Sequence, residues 1–395
     1  MNKNVEEHAI GDVDAPLRIR SIFLAFLELG CTAFGGPAII AHIRELVVHR
    51  KKWLDDDAFK DGVVLSQAIP GATAMQVAAY VGLKARGGWG AAAAYVGLGL
   101  PAFLLMLLLS EFYTASRSIT PIVALFGGLQ VLVVAIVAQS AFSFSTDIIR
   151  SVRCTGLAVA SATLLMYGIS PFIVIVGSAA AGAVLFRDIV LDASPAKELR
   201  MQQVKRTLLV GGGAILAGLV VLYFVNYQLF TLSTLMLRIN FFAFGGGLSS
   251  LPLMHHEIVS RGWLDSRAFM DGIALGQVTP GPISITGTFI GYLLFGITGA
   301  IVATIATFTP SFLLLLAADP CFEALKSSRT FAMLSKGILS CFVGLLVYVT
   351  YRFAHDIPWD GVRALLGVAA FLALLKKVDI LLIVLIGAIY SVVLL

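Results

Sequence analysis

The chain has 395 residues, of which 58% are hydrophobic and only 13% are charged, and its mean hydropathy is +0.93. A typical soluble protein carries about 25% charged residues, so this composition excludes a soluble globular enzyme, a disordered chain and a basic nucleic-acid-binding protein. The 28 Lys and Arg residues outnumber the 23 Asp and Glu residues, as is typical of membrane proteins with basic cytoplasmic loops. The sequence therefore predicts an all-α polytopic membrane protein whose exterior contacts lipid.

The N-terminus and the cysteines carry no processing or redox signal. The first twenty residues are polar and of mixed charge, without the apolar stretch and cleavage site of a signal peptide. We therefore expect residues 1–17 to form a cytoplasmic tail. The four cysteines are widely spaced and include no Cys-x-x-Cys pair, so we expect neither a disulfide framework nor a metal site.

Apolar stretches that approach the length of a bilayer-spanning helix, about 20 residues, follow one another along the chain. Counted generously there are thirteen, and merging the short ones leaves ten or eleven. They cover residues 21–47, 61–84, 89–112, 120–143, 155–169, 171–186, 207–226, 229–254, 268–294, 297–318, 331–351, 362–375 and 378–395.

The basic polar insert at 187–206 orients these stretches, because cytoplasmic loops are rich in Lys and Arg. Thirteen spans with a cytoplasmic N-terminus also place the basic positions at 150–153, 261–267 and 376–377 inside. They place loop 44–60 outside, although it carries five basic residues. A re-entrant first segment is the alternative, and it changes the number of spans.

An internal repeat is the strongest feature of the sequence. Residues 53–71 and 263–281 are identical at eleven of nineteen positions, at an offset of 210. The motif Ala-Phe-Gly-Gly matches upstream at 33–36 and 243–246, and Pro-x-Phe matches downstream at 101–103 and 310–312. Such self-similarity predicts a duplicated architecture.

The repeat divides the chain into a first transmembrane repeat at 18–186, a cytoplasmic loop with one connecting span at 187–228, and a second transmembrane repeat at 229–395. With six spans in each half, the single connecting span inserts the second half in the inverted orientation. Inverted repeats are typical of secondary transporters, whose substrate site lies at the repeat interface near the membrane midplane.

Glycine and proline interrupt the repeated segments at equivalent places. Such breaks are tolerated within a membrane where the freed backbone groups are buried in protein or line a wet cavity. They also expose helix N-termini, whose N–H groups and positive dipole ends bind anions. Close helix packing at small residues is the alternative explanation. The candidate substrate-binding positions are Gly35, Gly36, Pro70, Gly71, Gly245, Gly246, Pro280 and Gly281.

Two pairs of polar residues accompany these breaks. Gln67 and Gln277 lie three residues before the Pro-Gly pairs, on the same helix face, where their amides can donate to a bound oxyanion. Asp61 and Asp271 lie at the start of the same segments. We expect them either to couple or gate transport, since intramembrane carboxylates often mark proton relays, or to cap the helices.

One further charged pair emerges from the repeat offset, because Glu28 aligns with Arg238. Both lie within apolar stretches, where an ionised side chain needs a partner or a wet cavity. We expect them to pair, with Glu28 acting in coupling or gating, or Arg238 to attract a bound anion. The sequence contains no ATP-binding or catalytic motif, so we expect a non-enzymatic transporter without a cofactor, driven by an ion gradient or the membrane potential.

The repeated motifs resemble those of the chromate ion transporter family. The resemblance rests on AFGGP near the N-terminus, on WL…F.DG…Q..PG after it, and on the second copy AFGGG…GWL…F.DG…Q..PGP. It implies export of chromate across the cytoplasmic (inner) membrane, chromate resistance, and two halves in opposite orientation. Sulfate, another tetrahedral dianion, is implied as an additional substrate for some members.

The family pattern transfers to the Gly, Trp, Gln and Pro positions of both copies. This chain departs from it at Ala72, where the family more usually has proline, and at Glu28, where a basic or neutral residue is expected. The departures indicate unequal half-sites and favour Arg238 as the anion-facing charge. Homodimers are common among small membrane carriers, although nothing in the sequence marks an interface.

There are three alternatives to the chromate exporter, of which the first belongs to the same class and the other two do not. A sulfate or other oxyanion transporter would use the same scaffold. An intramembrane enzyme would need a catalytic or metal-binding constellation, and no such set repeats. A non-transporting scaffold or receptor leaves the duplicated Pro-Gly breaks without a purpose.

Overall fold

The computed structural model describes residues 18–33, 38–116, 119–189 and 201–395. Within this part the chain is α-helical and has no β-strand, which confirms the predicted all-α class. The predicted tail 1–17, the candidate residues Gly35 and Gly36, and residues 190–200 of the basic insert lie outside the described residues.

Seven α-helices of the first half are described, and the connecting helix follows them. A π-helix at Glu45–Arg50 directly extends the second α-helix. They are α1 Ile19–Thr32, α2 Ala38–Arg44, α3 Asp56–Ala68, α4 Thr73–Ser116, α5 Thr120–Ile148, α6 Val152–Met166, α7 Pro171–Leu185 and α8 Met201–Val225.

The helices of the second half repeat much of this pattern. Short 3-10 helices precede α10 and α12, at Gly247–Ser249 and Ile283–Ile285. The α-helices are α9 Tyr227–Phe241, α10 Ser250–Ser260, α11 Ser266–Val278, α12 Thr286–Ala318, α13 Phe322–Lys326, α14 Arg329–Asp356, α15 Gly361–Leu375 and α16 Ile380–Leu394.

The expected single spans at 61–84 and 268–294 are each two helices that double back. Gly62 on α3 lies against the side chain of Tyr80 on α4, and Gly272 on α11 lies against Phe289 on α12. Residues 17 or 18 positions apart are about 26–27 Å apart in a continuous helix, so these contacts require a hairpin. Both ends of each broken segment therefore lie on the same side of the protein.

The helices after these breaks reverse once more before they cross. In α4 the backbone leaves the helical region at Arg86 and Gly87, and Gly82 packs on the carbonyl oxygen of Gly90. A straight helix would separate those two glycines by about 12 Å. An equivalent reversal occurs in α12 at Phe295–Gly296. The long crossing portions are consequently 88–116 and 297–318.

Five helical segments in the described part of the chain are long and apolar enough to cross a membrane. They are Thr73–Ser116, Thr120–Ile148, Met201–Val225, Ile283–Lys326 and Arg329–Asp356. Four shorter apolar helices, α6, α7, α15 and α16, accompany them. The connecting helix α8 has no fully buried residue; it packs on α12, where Gly211 lies against Leu313, and most of its remaining surface is exposed.

Polar contacts identify the helix ends that lie together. Arg153, after the end of α5, forms an ion pair of 2.8 Å with Asp188, after the end of α7. Arg329, at the start of α14, donates to the carbonyl oxygen of Arg187. Arg267 instead lines a cavity with residues at the start of α5. The thirteen-span topology, which placed positions 150–153 and 267 on the same side, is therefore corrected: these positions lie at opposite ends of α5.

Candidate functional site

A cavity of about 410 Å³ lies where the broken segments of the two halves meet, and we call it the central cavity. The first half contributes Gln67 and Thr73, and the second contributes the backbone at 245–247 and 282–283. The structure thus brings together three of the sequence-predicted residues, Gln67, Gly245 and Gly246. The complete lining is Ile40, Gln67, Ala72, Thr73, Ala74, Phe144, Asp147, Ile148, Gly245, Gly246, Gly247, Leu248, Pro282, Ile283 and Leu339.

The two Pro-Gly turns pack reciprocally across the halves. Gly71 has φ +126° and Gly281 has φ +123°, a conformation that favours glycine. A Cβ on Gly71 would lie 2.4 Å from Ser311 Oγ, and one on Gly281 would lie 2.8 Å from Ala102 Cβ. Ala102 and Ser311 are equivalent positions of the repeat. Each turn therefore lies against the other half, as a twofold relation between the halves requires.

Hydrogen bonds hold the first turn in place. The Gly71 N–H donates to the carbonyl oxygen of Ala243 over 2.8 Å, and the Ala72 N–H donates to Ser311 Oγ over 3.1 Å. Gln76 Nε2 donates to the carbonyl oxygen of Pro70 over 2.8 Å. The first Pro-Gly turn is thus hydrogen-bonded directly to the second Ala-Phe-Gly-Gly motif.

Three helical starts converge on the central cavity. Thr73 begins α4, Gly247 begins the 3-10 helix before α10, and Ile283 begins the 3-10 helix before α12. Free N–H groups and the positive dipole end at such starts favour a bound anion. Among the lining residues, all of them in the described chain, Asp147 alone is charged, and it is exposed. An anion here would be held by neutral donors and dipoles.

The buried polar atoms that have no hydrogen-bond partner within the described residues include Ser284 Oγ and Gln277 Nε2. A Cβ on Gly247 would lie 3.1 Å from Ser284 Oγ, so this hydroxyl lies beside the cavity wall. Since a buried donor without a partner is costly, both atoms are suited to a ligand. Ser284 was not among the residues predicted from the sequence; its position, two residues after Pro-Gly-Pro, was the available signal.

The equivalent polar residues of the two halves have different surroundings. Gln67 is exposed in the central cavity, whereas Gln277 is only 6% exposed. Asp61 is partly exposed, whereas Asp271 is 5% exposed. The first half therefore exposes the Gln and Asp side chains whose equivalents in the second half are buried.

The alternative that Asp61 and Asp271 cap their helices is wrong. Asp55 and Asp265 are the N-caps, and each accepts a 2.7 Å hydrogen bond from the backbone three residues later. Asp271 instead accepts 2.8 Å bonds from the Tyr113 hydroxyl and from Gln130 Nε2.

Arg238 has a different partner from the one expected. Its guanidinium lies 2.6 Å from Glu257, which also lies 3.0 Å from Arg261. Arg238 further stacks on the Phe172 ring, 4.4 Å from its centroid. The structure therefore pairs Arg238 with Glu257 in place of Glu28, which is exposed on α1. Arg238 does not line the central cavity.

The sequence matches the family described as chromate transporter twice, over residues 20–183 and 230–392. The chain belongs to the chromate transporter family. Its two matches fall within the two predicted halves and support two homologous repeats. The family is one of membrane transporters, so the chain is a multi-pass transporter and not an enzyme.

Individual relatives agree with this family. The chain is 44% identical to an uncharacterized transporter of Methanocaldococcus jannaschii over 373 residues, 93% of this chain and 92% of the relative. It is 28% identical to a chromate transport protein of Cupriavidus metallidurans, over 91% of this chain and 88% of the relative. An uncharacterized transporter of Bacillus subtilis is 32% identical over 33% of this chain but 72% of its own length. No solved structure matches the chain.

Proposed function

We propose that this protein exports chromate from the cytoplasm and thereby confers chromate resistance. The observation that carries the proposal is the central cavity, where the Pro-Gly and Phe-Gly-Gly breaks of both halves meet. Relatives that are named chromate transport proteins share nearly the whole length of the chain. Export from a cell that is negative inside moves a dianion down the voltage, by about 2.3 kcal/mol per charge per 100 mV.

The proposed binding set combines neutral donors from both halves. Gln67 and Thr73 belong to the first half, and the backbone at 245–247, Ser284 and Gln277 belong to the second. Helix N-termini supply the positive potential. Pro70, Gly71, Pro280 and Gly281 shape the turns that place these donors.

The orientation follows from where the basic residues lie. The end of α5 lies beside Asp188 and Arg329, in a region rich in Arg. The positive-inside tendency makes this side cytoplasmic. Lys84 forms a 2.7 Å ion pair with Asp319, close in sequence to Arg329. Because residues 56–85 form a hairpin, the basic loop 44–60 then lies on the cytoplasmic side as well. This arrangement supports inverted halves in the inner membrane.

Sulfate is the second candidate substrate, and one observation favours it. The cavity wall offers hydroxyl, amide and backbone donors, which recognise any tetrahedral dianion of similar size. Such donors carry no preference for the central atom. Exchange of chromate for sulfate would use the same site.

The deciding experiment uses everted membrane vesicles that contain the full chain, in which export is measured as uptake. Labelled chromate is followed with and without a membrane potential, and with excess sulfate. We expect potential-dependent chromate uptake that sulfate competes away. Uptake of sulfate alone would reassign the substrate, and uptake of neither ion above vesicles without the protein would refute an oxyanion transporter.

A further inference from the structure

A second cavity, of about 440 Å³, lies at the other end of α5 from the central cavity. Its wall includes the start of α5, the start of α11, Pro358 after the end of α14, and the side chains of Arg267 and Arg363. Asp271 and Gln130 form part of the same wall. The sequence did not predict a cavity at this place.

The two cavities open toward opposite faces of the membrane. On α5, Gly127 lines the second cavity and Asp147 lines the central cavity. At 1.5 Å per residue these positions are about 30 Å apart along the helix, which matches the thickness of the hydrocarbon core. The helix α11 gives the same direction: Arg267 at its start lines the second cavity, and Pro282 after its end lines the central cavity.

A closed stretch of α11 separates the cavities. Every residue from 271 to 277 is buried. Its outer end is tied to both neighbouring crossing helices, because Asp271 accepts hydrogen bonds from Tyr113 on α4 and from Gln130 on α5. In the equivalent stretch of the first half Gly62, Leu65 and Ser66 are buried too, but Asp61 is partly exposed and Gln67 is exposed in the central cavity.

The geometry points to the second cavity as the outer vestibule of the transport path, with the cluster of Asp271, Tyr113 and Gln130 as the closed barrier between it and the central cavity. This inference rests on the proposed transport function. Arg267 is exposed at the vestibule, where it can pair with an oxyanion, although Asp265 belongs to the same wall. Export then requires the hydrogen bonds of this cluster to break, so that the second half becomes accessible from the vestibule. The first half would at the same time bury Asp61 and Gln67, which are now exposed. The two halves would exchange their conformations, as repeats of inverted orientation can.

The test measures accessibility from each side of sealed vesicles that contain the full chain, with the four native cysteines replaced by serine. Single cysteines are introduced as Gln67→Cys, Arg267→Cys and Gln277→Cys, and a membrane-impermeant charged maleimide is added from one side at a time. We expect Q67C to react only from the cytoplasmic side, R267C only from the opposite side, and Q277C from neither. Reaction of Q67C and R267C from the same side would overturn the two-sided arrangement, and rapid reaction of Q277C would overturn the barrier.

The cluster itself is tested by weakening it. In the Q277C protein, Tyr113→Phe or Gln130→Ala should raise the labelling rate from the outer side about tenfold, as expected when a hydrogen bond to a charged group is lost. Tyr223→Phe, which removes an exposed hydroxyl on α8, is the matched control. Monodisperse elution in detergent verifies folding of each variant. Unchanged labelling in both cluster variants would refute the barrier.

Chromate flux is measured in vesicles that contain the four-serine protein with Gln67, Arg267 and Gln277 unchanged, and it separates this inference from the proposed function. The expected labelling pattern without chromate flux would refute the substrate and support the barrier. Chromate flux together with labelling of Q277C from both sides would support the substrate and refute the barrier.

Discussion

Replacement of Gly71 by alanine tests the contact between the halves most directly. The backbone φ of +126° lies in a region that alanine adopts only at a cost of about 1–3 kcal/mol. The new Cβ would also lie 2.4 Å from Ser311 Oγ and 2.6 Å from Ser311 Cβ, and overpacking of this kind adds about 1–3 kcal/mol. We therefore expect Gly71→Ala to destabilise the protein by about 2–6 kcal/mol, the sum of these two ranges.

Two glycine controls separate strain from close approach. Gly87 has φ +63° and ψ −156°, a backbone region essentially restricted to glycine, and no atom lies within 4 Å of a Cβ there, so Gly87→Ala should cost about 1–3 kcal/mol from strain alone. Gly156 is an exposed helical glycine in open space, and its replacement by alanine should stabilise by up to about 1 kcal/mol.

The assay is thermal unfolding in detergent, followed by intrinsic fluorescence, together with chromate uptake in everted vesicles. Combining Gly71→Ala with Ser311→Gly should remove the overlap with Ser311 but not the backbone strain, and it also removes the acceptor of the Ala72 N–H, so we expect only part of the lost stability to return. If Gly71→Ala unfolds at the same temperature as Gly87→Ala, the close approach of the first Pro-Gly turn to the second half does not exist, and the central cavity loses its structural basis.

Three further predictions concern the cavity and its surroundings. Ser284→Ala and Thr73→Ala should each weaken chromate uptake about ten- to a hundredfold, as loss of one hydrogen bond to an anion does, with an unchanged unfolding temperature; normal uptake by both would exclude hydroxyl donors. Asp147→Asn removes the negative charge at the cavity wall and should increase the apparent affinity for chromate about two- to fivefold at low salt, measured from the concentration dependence of uptake; a decrease would show that the carboxylate assists transport. Glu257→Gln leaves Arg238 and Arg261 without their shared carboxylate and should destabilise by about 1–3 kcal/mol, because the partial exposure of both arginines screens the loss, whereas Glu28→Gln on the exposed face of α1 should leave the unfolding temperature unchanged.

Equivalent positions of the two repeats share the places where the backbone breaks, but their side chains do not share the same partners. The paired Pro-Gly motifs were expected to interrupt helices, and they do, because proline and positive-φ glycine are local properties of the chain. Arg238 was expected beside Glu28 because the two align. Glu257 is its partner instead, since α9 and α10 fold back on each other after the second Phe-Gly-Gly motif.

The span prediction shows the same limit. An apolar stretch of sufficient length is the signal for a crossing helix, and residues 61–84 satisfy it. Apolar length does not distinguish a crossing helix from a hairpin, in which two helices shorter than the bilayer is thick lie side by side. The discordant basic loop 44–60 was the clue that the first broken segments return to the side from which they enter.

By itself, the amino-acid sequence determined the all-α membrane class, the duplication and the places where helices break, since these depend on composition, self-similarity and local backbone preference. Only the tertiary structure decided which donors share the central cavity, that Ser284 lies beside its wall, and that Asp271 is buried while Asp61 is partly exposed. The cavity and the surroundings of Asp271 arise from contacts between residues more than a hundred positions apart. Equivalent sequences in the two halves can adopt different surroundings, because each half packs against the other.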